Sequence, residues 1–89
     1  MGNDKFLELC KETVVNYFNS RSDKTDKFEI TKDDVFIVWS CKTLQNNKAL
    51  ASTTVSDGMY YVLTYNGDKK ELYFDAYKKW ENKCIKVED

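Results

Sequence analysis

Residues 56–74, SDGMYYVLTYNGDKKELYF, decide how this chain folds. They hold two of its three glycines, in a sequence without proline, on either side of alternating apolar and polar side chains. Asp57-Gly58 and Asn66-Gly67 are dipeptides in which glycine takes a positive φ without a Cβ clash, as tight hairpins require. A two-residue turn at Asn66-Gly67 sets Leu63 opposite Lys70, Tyr61 opposite Leu72 and Met59 opposite Phe74. On the other face Thr64 then meets Lys69, Val62 meets Glu71 and Tyr60 meets Tyr73. Met59, Tyr61, Leu63, Leu72 and Phe74 point inward, and a one-residue slip would mix the two sets. A three-residue loop over 56–58 adds Val55, Thr53 and Ala51 to the inward face. Two consecutive hairpins are expected.

Working outward, VFIVWSCK (35–42) is rich in β-branched and aromatic residues. Val35, Ile37, Trp39 and Cys41 fall on one face, while Phe36 and Val38 keep the other apolar, which predicts a central rather than an edge strand. KTLQNNK (42–48) reads as a loop around Asn46-Asn47, and ALASTTV (49–55) as a strand with small side chains. The strands are expected at about 35–42, 49–55, 59–65 and 70–75. Ahead of them, Phe6, Cys10, Val14 and Phe18 recur every four residues, with Leu7 and Tyr17 beside them, predicting an amphipathic helix over 4–19. Asn3 is its expected N-cap, with Asp4 favourably placed against the helix dipole. SRSDKTDK (20–27) reads as a charged connector, Phe28 and Ile30 as a short extended piece, and TKDD (31–34) as a turn or one capped helical turn.

The segment ELYFDAYKKWENKCI (71–85) is ambiguous. Leu72, Phe74 and Ala76 alternate as in a strand, whereas Ala76, Trp80 and Cys84 keep a helical step. A strand to about residue 75 and a tail or short helix over 77–85 is one reading; a helix from Leu72 onward is the other. The fold class is α+β, in one domain over 1–89: an N-terminal helix packed on a four-stranded antiparallel meander, a cystatin-like arrangement. That architecture hosts unrelated functions.

Charge is nearly balanced, with fourteen basic and fifteen acidic residues, so no net field draws the chain onto a polyanion. Lys69, Lys70, Lys78, Lys79, Lys83 and Lys86 are interleaved with Glu71, Asp75 and Glu81, which argues against a nucleic-acid stripe. The absence of histidine removes the commonest general base and the commonest zinc ligand together. Cys10, Cys41 and Cys84 lack the spacing of a metal site and read as three buried free thiols in a reducing cytoplasm, although a Cys10–Cys84 bridge is geometrically conceivable. Asp23, Asp26 and Glu29 read as a solvated loop rather than a calcium loop. MGNDKFLELC does not read as a signal peptide, and the apolar run at 35–39 is far short of a membrane span. A non-catalytic protein in the cytoplasm, without metal or cofactor, is expected.

Two features suit binding. Tyr60, Val62, Thr64 and Tyr73, with Tyr77 beside them, form an outward sheet face; tyrosines bury area there and keep a polar tip. The simpler reading is a set of cross-strand pairs that merely stabilise the hairpin. The second feature is Lys42, Leu44, Gln45 and Asn46 in the expected loop, for which a plain connector is the alternative.

Residues 38–82, and in particular KTLQNNKA (42–49), YYVLTYNGD (60–68) and ELYFDAYKK (71–79), resemble a family of small uncharacterised proteins encoded by phages and prophages of Gram-positive bacteria. The resemblance carries no activity onto particular residues. It implies a context in which small accessory proteins bind a host or defence protein stoichiometrically, anti-CRISPR inhibitors being one example. The expected function is therefore a protein-binding phage accessory module that inhibits a host defence or regulatory protein. The alternatives are a homo-oligomer, such as a homodimer, pairing through a sheet edge or face, and a weak nucleic-acid binder.

Overall fold

A computed structural model describes residues 1–21 and 28–88. In chain order these form α1 (Asn3–Arg21), a 3-10 turn (Lys32–Asp34), β1 (Val35–Thr43), β2 (Asn46–Thr53), β3 (Met59–Asn66) and β4 (Glu71–Lys78). The four strands make one antiparallel sheet in the order β1-β2-β3-β4. One helix on an antiparallel meander is the α+β arrangement expected from the sequence. Of the charged connector over 20–27, residues 22–27, including Asp23 and Asp26, lie outside the described residues.

The helix runs longer than its apolar stripe predicts, because Ser20 and Arg21 continue it. Ser20 Oγ donates to the Tyr17 carbonyl at 2.9 Å, and the Arg21 guanidinium lies 5.2 Å from the Tyr17 ring centroid. Asn3 is the first helical residue rather than its cap; the Phe6 amide donates to the Gly2 carbonyl at 3.0 Å, so the helix starts one residue early. Phe6, Cys10 and Val14 point into the sheet and are completely buried. They meet Ala49 and Ala51, whose small side chains let the helix approach closely, together with Val35, Tyr61, Leu63 and Ile30. Asn19 fastens the incoming chain: its Nδ2 donates to the Ile30 carbonyl at 3.1 Å, and its Oδ1 accepts from the Ile30 amide at 2.9 Å. Asp34, ending the 3-10 turn, accepts from the Thr31 amide at 2.9 Å and so closes the single capped turn that TKDD suggests.

The expected hairpin faces hold, but their registers slide. Ala51 pairs with Tyr61 and Ala49 with Leu63, two residues away from the expected register, because the β2–β3 loop is longer than three residues. Gly58 sits in that loop at φ +72°, the conformation for which glycine was expected. In the second hairpin Asn66 pairs with Glu71, Leu63 with Phe74 and Tyr61 with Ala76, a slide of four residues. The turn is formed by residues 67–70, and Lys70, not Gly67, takes the left-handed conformation at φ +55°. Asn66 Oδ1 organises it by accepting from the amides of Asp68 (3.1 Å) and Lys69 (3.3 Å). Both slides are even, so every side chain keeps its face.

Three expectations are corrected. First, β1 is an edge strand, not a central one. The register shifts between Ile37 and Trp39, with Ile37 opposite Ala51 and Trp39 opposite Leu50, so Val38 is the extra residue of a bulge. The bulge reverses the alternation: Trp39 and Cys41 turn to the outer face, and Ser40 takes the inner position opposite Ala49. Second, β4 runs to Lys78, three residues past its expected end, because the ladder with β3 holds Ala76, Tyr77 and Lys78; of the two continuations expected, the tail is found, over residues 79–88, and the helix is not. Third, Cys10 is buried, but Cys41 and Cys84 are exposed, the first through the bulge and the second through the unpacked tail; all three are free thiols.

Candidate functional site

Among the described residues, the four-stranded sheet is covered on one face only. On the uncovered outer face the register builds rows that cross the strands. One row runs Trp39, Leu50, Val62 and Asp75; the next runs Cys41, Lys48, Thr64 and Tyr73; Tyr60 pairs with Tyr77 beyond the first. Phe36, opposite Ser52, closes the β1 side. Phe36, Val38, Trp39, Tyr73 and Tyr77 are each about half exposed, and Tyr60, Leu50 and Val62 are half-buried among them. A face rich in aromatic and aliphatic groups and left to solvent is the surface type that marks interaction sites.

The face divides chemically. Around Trp39, Leu50 and Val62 it is apolar, while along β4 it carries Glu71 and Asp75 beside the two tyrosines. Tyr73 Oη donates to Glu71 Oε2 at 2.5 Å, and that hydrogen bond, with the carboxylate charge, holds the phenol above its ordinary pKa. At the end of the face nearest the β2–β3 loop an open groove of about 370 Å³ is lined by Phe36, Ser52, Val55, Met59, Tyr60 and Lys79. The Lys79 amide donates to the Gly58 carbonyl at 2.7 Å, which anchors the tail at that groove before Trp80, 97% exposed, leaves the body.

Of the residues expected to bind, Tyr60, Val62, Thr64, Tyr73 and Tyr77 stand together on this face. Their pairing differs from expectation: Tyr60 meets Tyr77, Thr64 meets Tyr73 and Val62 meets Asp75, as the longer turn dictates. Lys42, Leu44, Gln45 and Asn46 lie elsewhere, at the end of the sheet. The expected seven-residue loop is a tight hairpin, with Lys42 opposite Asn47 and Thr43 opposite Asn46, which leaves only Leu44 and Gln45 as the turn. Leu44 adopts φ +55° and is 83% exposed. Its neighbours have structural work. Asn46 Oδ1 accepts from the Gly67 amide at 3.1 Å, joining the two hairpin turns, and Lys42 Nζ donates to the Met1 carbonyl at 3.0 Å. Gly67 is therefore needed for close approach rather than for positive φ: a Cβ there would overlap the Gln45 carbonyl oxygen.

Sequence reasoning missed Phe36, Trp39 and Leu50. The signal was present in the two-sided apolar run VFIVWSC, which reads equally as a buried strand or as a strand with one bare apolar face. Among the described residues no helix is long and apolar enough to cross a membrane. Comparison with known proteins finds one family model, described as a family of unknown function (DUF6275), that matches residues 7–87. No curated protein and no solved structure matches the chain.

Proposed function

We propose that this chain, which belongs to the DUF6275 family, is a non-catalytic protein-binding module that docks its partner on the outer face of its sheet. The reading extends to a phage accessory role, with a host defence or regulatory protein as the target to be inhibited; that part draws on the resemblance of residues 38–82 to phage and prophage proteins. The observation that carries the docking reading is the uncovered row of Trp39, Leu50 and Val62 flanked by Phe36, Tyr60, Tyr73 and Tyr77. Aromatic anchors within an otherwise polar rim are the groups that dominate protein interfaces, and each holds its position through the strand ladder at little entropic cost. A chain without histidine has few routes to acid–base catalysis near neutral pH, which favours binding over turnover.

The test pairs capture with a face variant. Tagged wild-type protein and a Trp39→Ser/Tyr73→Ser variant are each incubated with a Gram-positive bacterial lysate, and retained proteins are compared after circular dichroism has shown both to be folded. The reading expects a stoichiometric partner retained by the wild type and lost by the variant. Equal retention by both would remove the outer face from the interaction, and retention of nothing above an unrelated control would count against a binding role in that host.

A further inference from the structure

The two edges of the sheet are built differently. β1 carries the bulge at Val38, which interrupts its ladder and twists the edge away from further pairing. β4 carries neither a bulge nor a proline, and of its three charged residues, Glu71, Asp75 and Lys78, only the last points inward. Its eight residues pair with β3 in unbroken register from Glu71 to Lys78, proline is absent, and its inward positions are Leu72, Phe74 and Ala76, with a lysine only at the last residue. The helical layer also stops short of it. Phe74 reaches Tyr17, with ring centroids 4.9 Å apart, yet is only partly buried, like Leu72, and Ala76 is exposed although Tyr61, its partner in β3, is buried.

We propose that β4 pairs antiparallel with β4 of a second copy of this chain, joining two sheets into one of eight strands with Phe74 opposite itself at the two-fold axis. The register follows from the side chains. Opposed residues in an antiparallel ladder share a face, so a two-fold axis normal to the sheet must place one residue opposite its own copy. Centring on Asp75 would oppose two carboxylates, and centring on Tyr73 would oppose Glu71 and Asp75 twice; both are penalised. Centring on Phe74 opposes Leu72 with Ala76 on the inner face, and Tyr73 with Asp75 and Glu71 with Tyr77 on the outer face. Each carboxylate then faces a phenol, and the half-covered apolar groups face one another. Lys78 falls opposite Lys70, which lies in the turn beyond the strand and reaches solvent. The pairing leaves Trp39, Leu50 and Val62 free and would present that apolar row twice, although Tyr73 and Tyr77 belong to both the docking face and the paired edge.

Sedimentation velocity of the full-length chain across a concentration series reads the proposal directly. The expected species is a dimer of the 10.5 kDa chain, with association weakened at least about tenfold by Ala76→Lys, an exposed position that tolerates lysine in the single copy. Trp39→Ser should leave the dimer intact. A wild-type protein that remains monomeric to about 0.1 mM would overturn the proposal, as would a dimer disrupted by Trp39→Ser and indifferent to Ala76→Lys, which would place the contact on the sheet face. If Ala76→Lys fails to fold, amide exchange on the wild type decides. Protection of β4 amides that rises with protein concentration while β1 amides stay constant supports the edge pairing, and the reverse, or no change in either, overturns it.

Discussion

Leu63 and Val62 are adjacent aliphatic residues in β3 whose only large difference is the face they occupy. Leu63 is fully buried with Ala49, Ala51 and Tyr61 beneath α1, whereas Val62 stands half-exposed between Leu50 and Asp75. The inner face is therefore a core, closed by one helix, and the outer face is an apolar surface that none of the described residues covers. Folding accounts for the first set of side chains. It does not require the second, and residues that folding does not require are where a partner's needs can be written.

The widest separation between the faces should appear in a pair of truncations. Leu63→Ala leaves a cavity in a packed core and is expected to cost about 2–5 kcal/mol, whereas Val62→Ala should cost less than about 1 kcal/mol; urea denaturation of the two variants checks the contrast. Comparable losses would make the outer face part of the core. Gly67→Ala probes the end of the sheet and is expected to cost about 2–3 kcal/mol, because the added Cβ meets backbone rather than a yielding side chain. The thermal midpoint should fall accordingly, and an unchanged midpoint would mean the two hairpin turns separate freely.

The buried face also has a pH signature. Burial pushes the Cys10 thiol from about 9 up to about 12. Above pH 9 the unfolded chain releases this proton while the folded chain keeps it, so the stabilising contribution is complete below about 9 and is lost as pH rises towards 12. The loss amounts to at most about 1.4 kcal/mol per pH unit. Tyr61, also raised by burial, acts in the same direction. Cys10→Ala should lower stability at neutral pH yet flatten the decline between pH 9 and 11, and a slope identical to wild type would contradict the assignment. A smaller effect concerns Asn47, 2% exposed on β2, whose side-chain amide atoms have no hydrogen-bond partner among the described residues. Replacing a buried amide that makes no bond should help, so Asn47→Leu is expected to raise stability by about 1 kcal/mol. A marked loss in thermal denaturation would show that the amide is bonded. Thiol labelling separates the faces without any mutation: Cys41 and Cys84 should react in the native state, and Cys10 only on unfolding.

What could be read from the sequence was the parity of side chains; what could not be read was their register. Alternation in residues 59–65 and 71–75 assigns Tyr61, Leu63 and Phe74 to the core whichever turn joins the strands, since even slides preserve faces. Turn length depends on local competition that composition does not reveal. Asn66-Gly67 has the dipeptide of a two-residue turn, but Asn66 Oδ1 takes the amides of Asp68 and Lys69 and organises a four-residue one. The bulge at Val38 was equally hidden. Uninterrupted apolar residues from Val35 to Trp39 offer no alternation for an inserted residue to disturb, so Trp39 read as core. The tyrosines of the candidate face were legible because β3 and β4 alternate cleanly, whereas Trp39, Phe36 and Leu50 needed the three-dimensional register.

Radical footprinting of the free chain and of the chain bound to its captured partner tests the bare-face account most directly. Oxidation should fall at Trp39, Tyr60, Tyr73 and Tyr77 on binding, while Phe6 and Tyr61 beneath the helix stay unmodified in both states. Unchanged oxidation at those four outer residues while the partner is bound would contradict it.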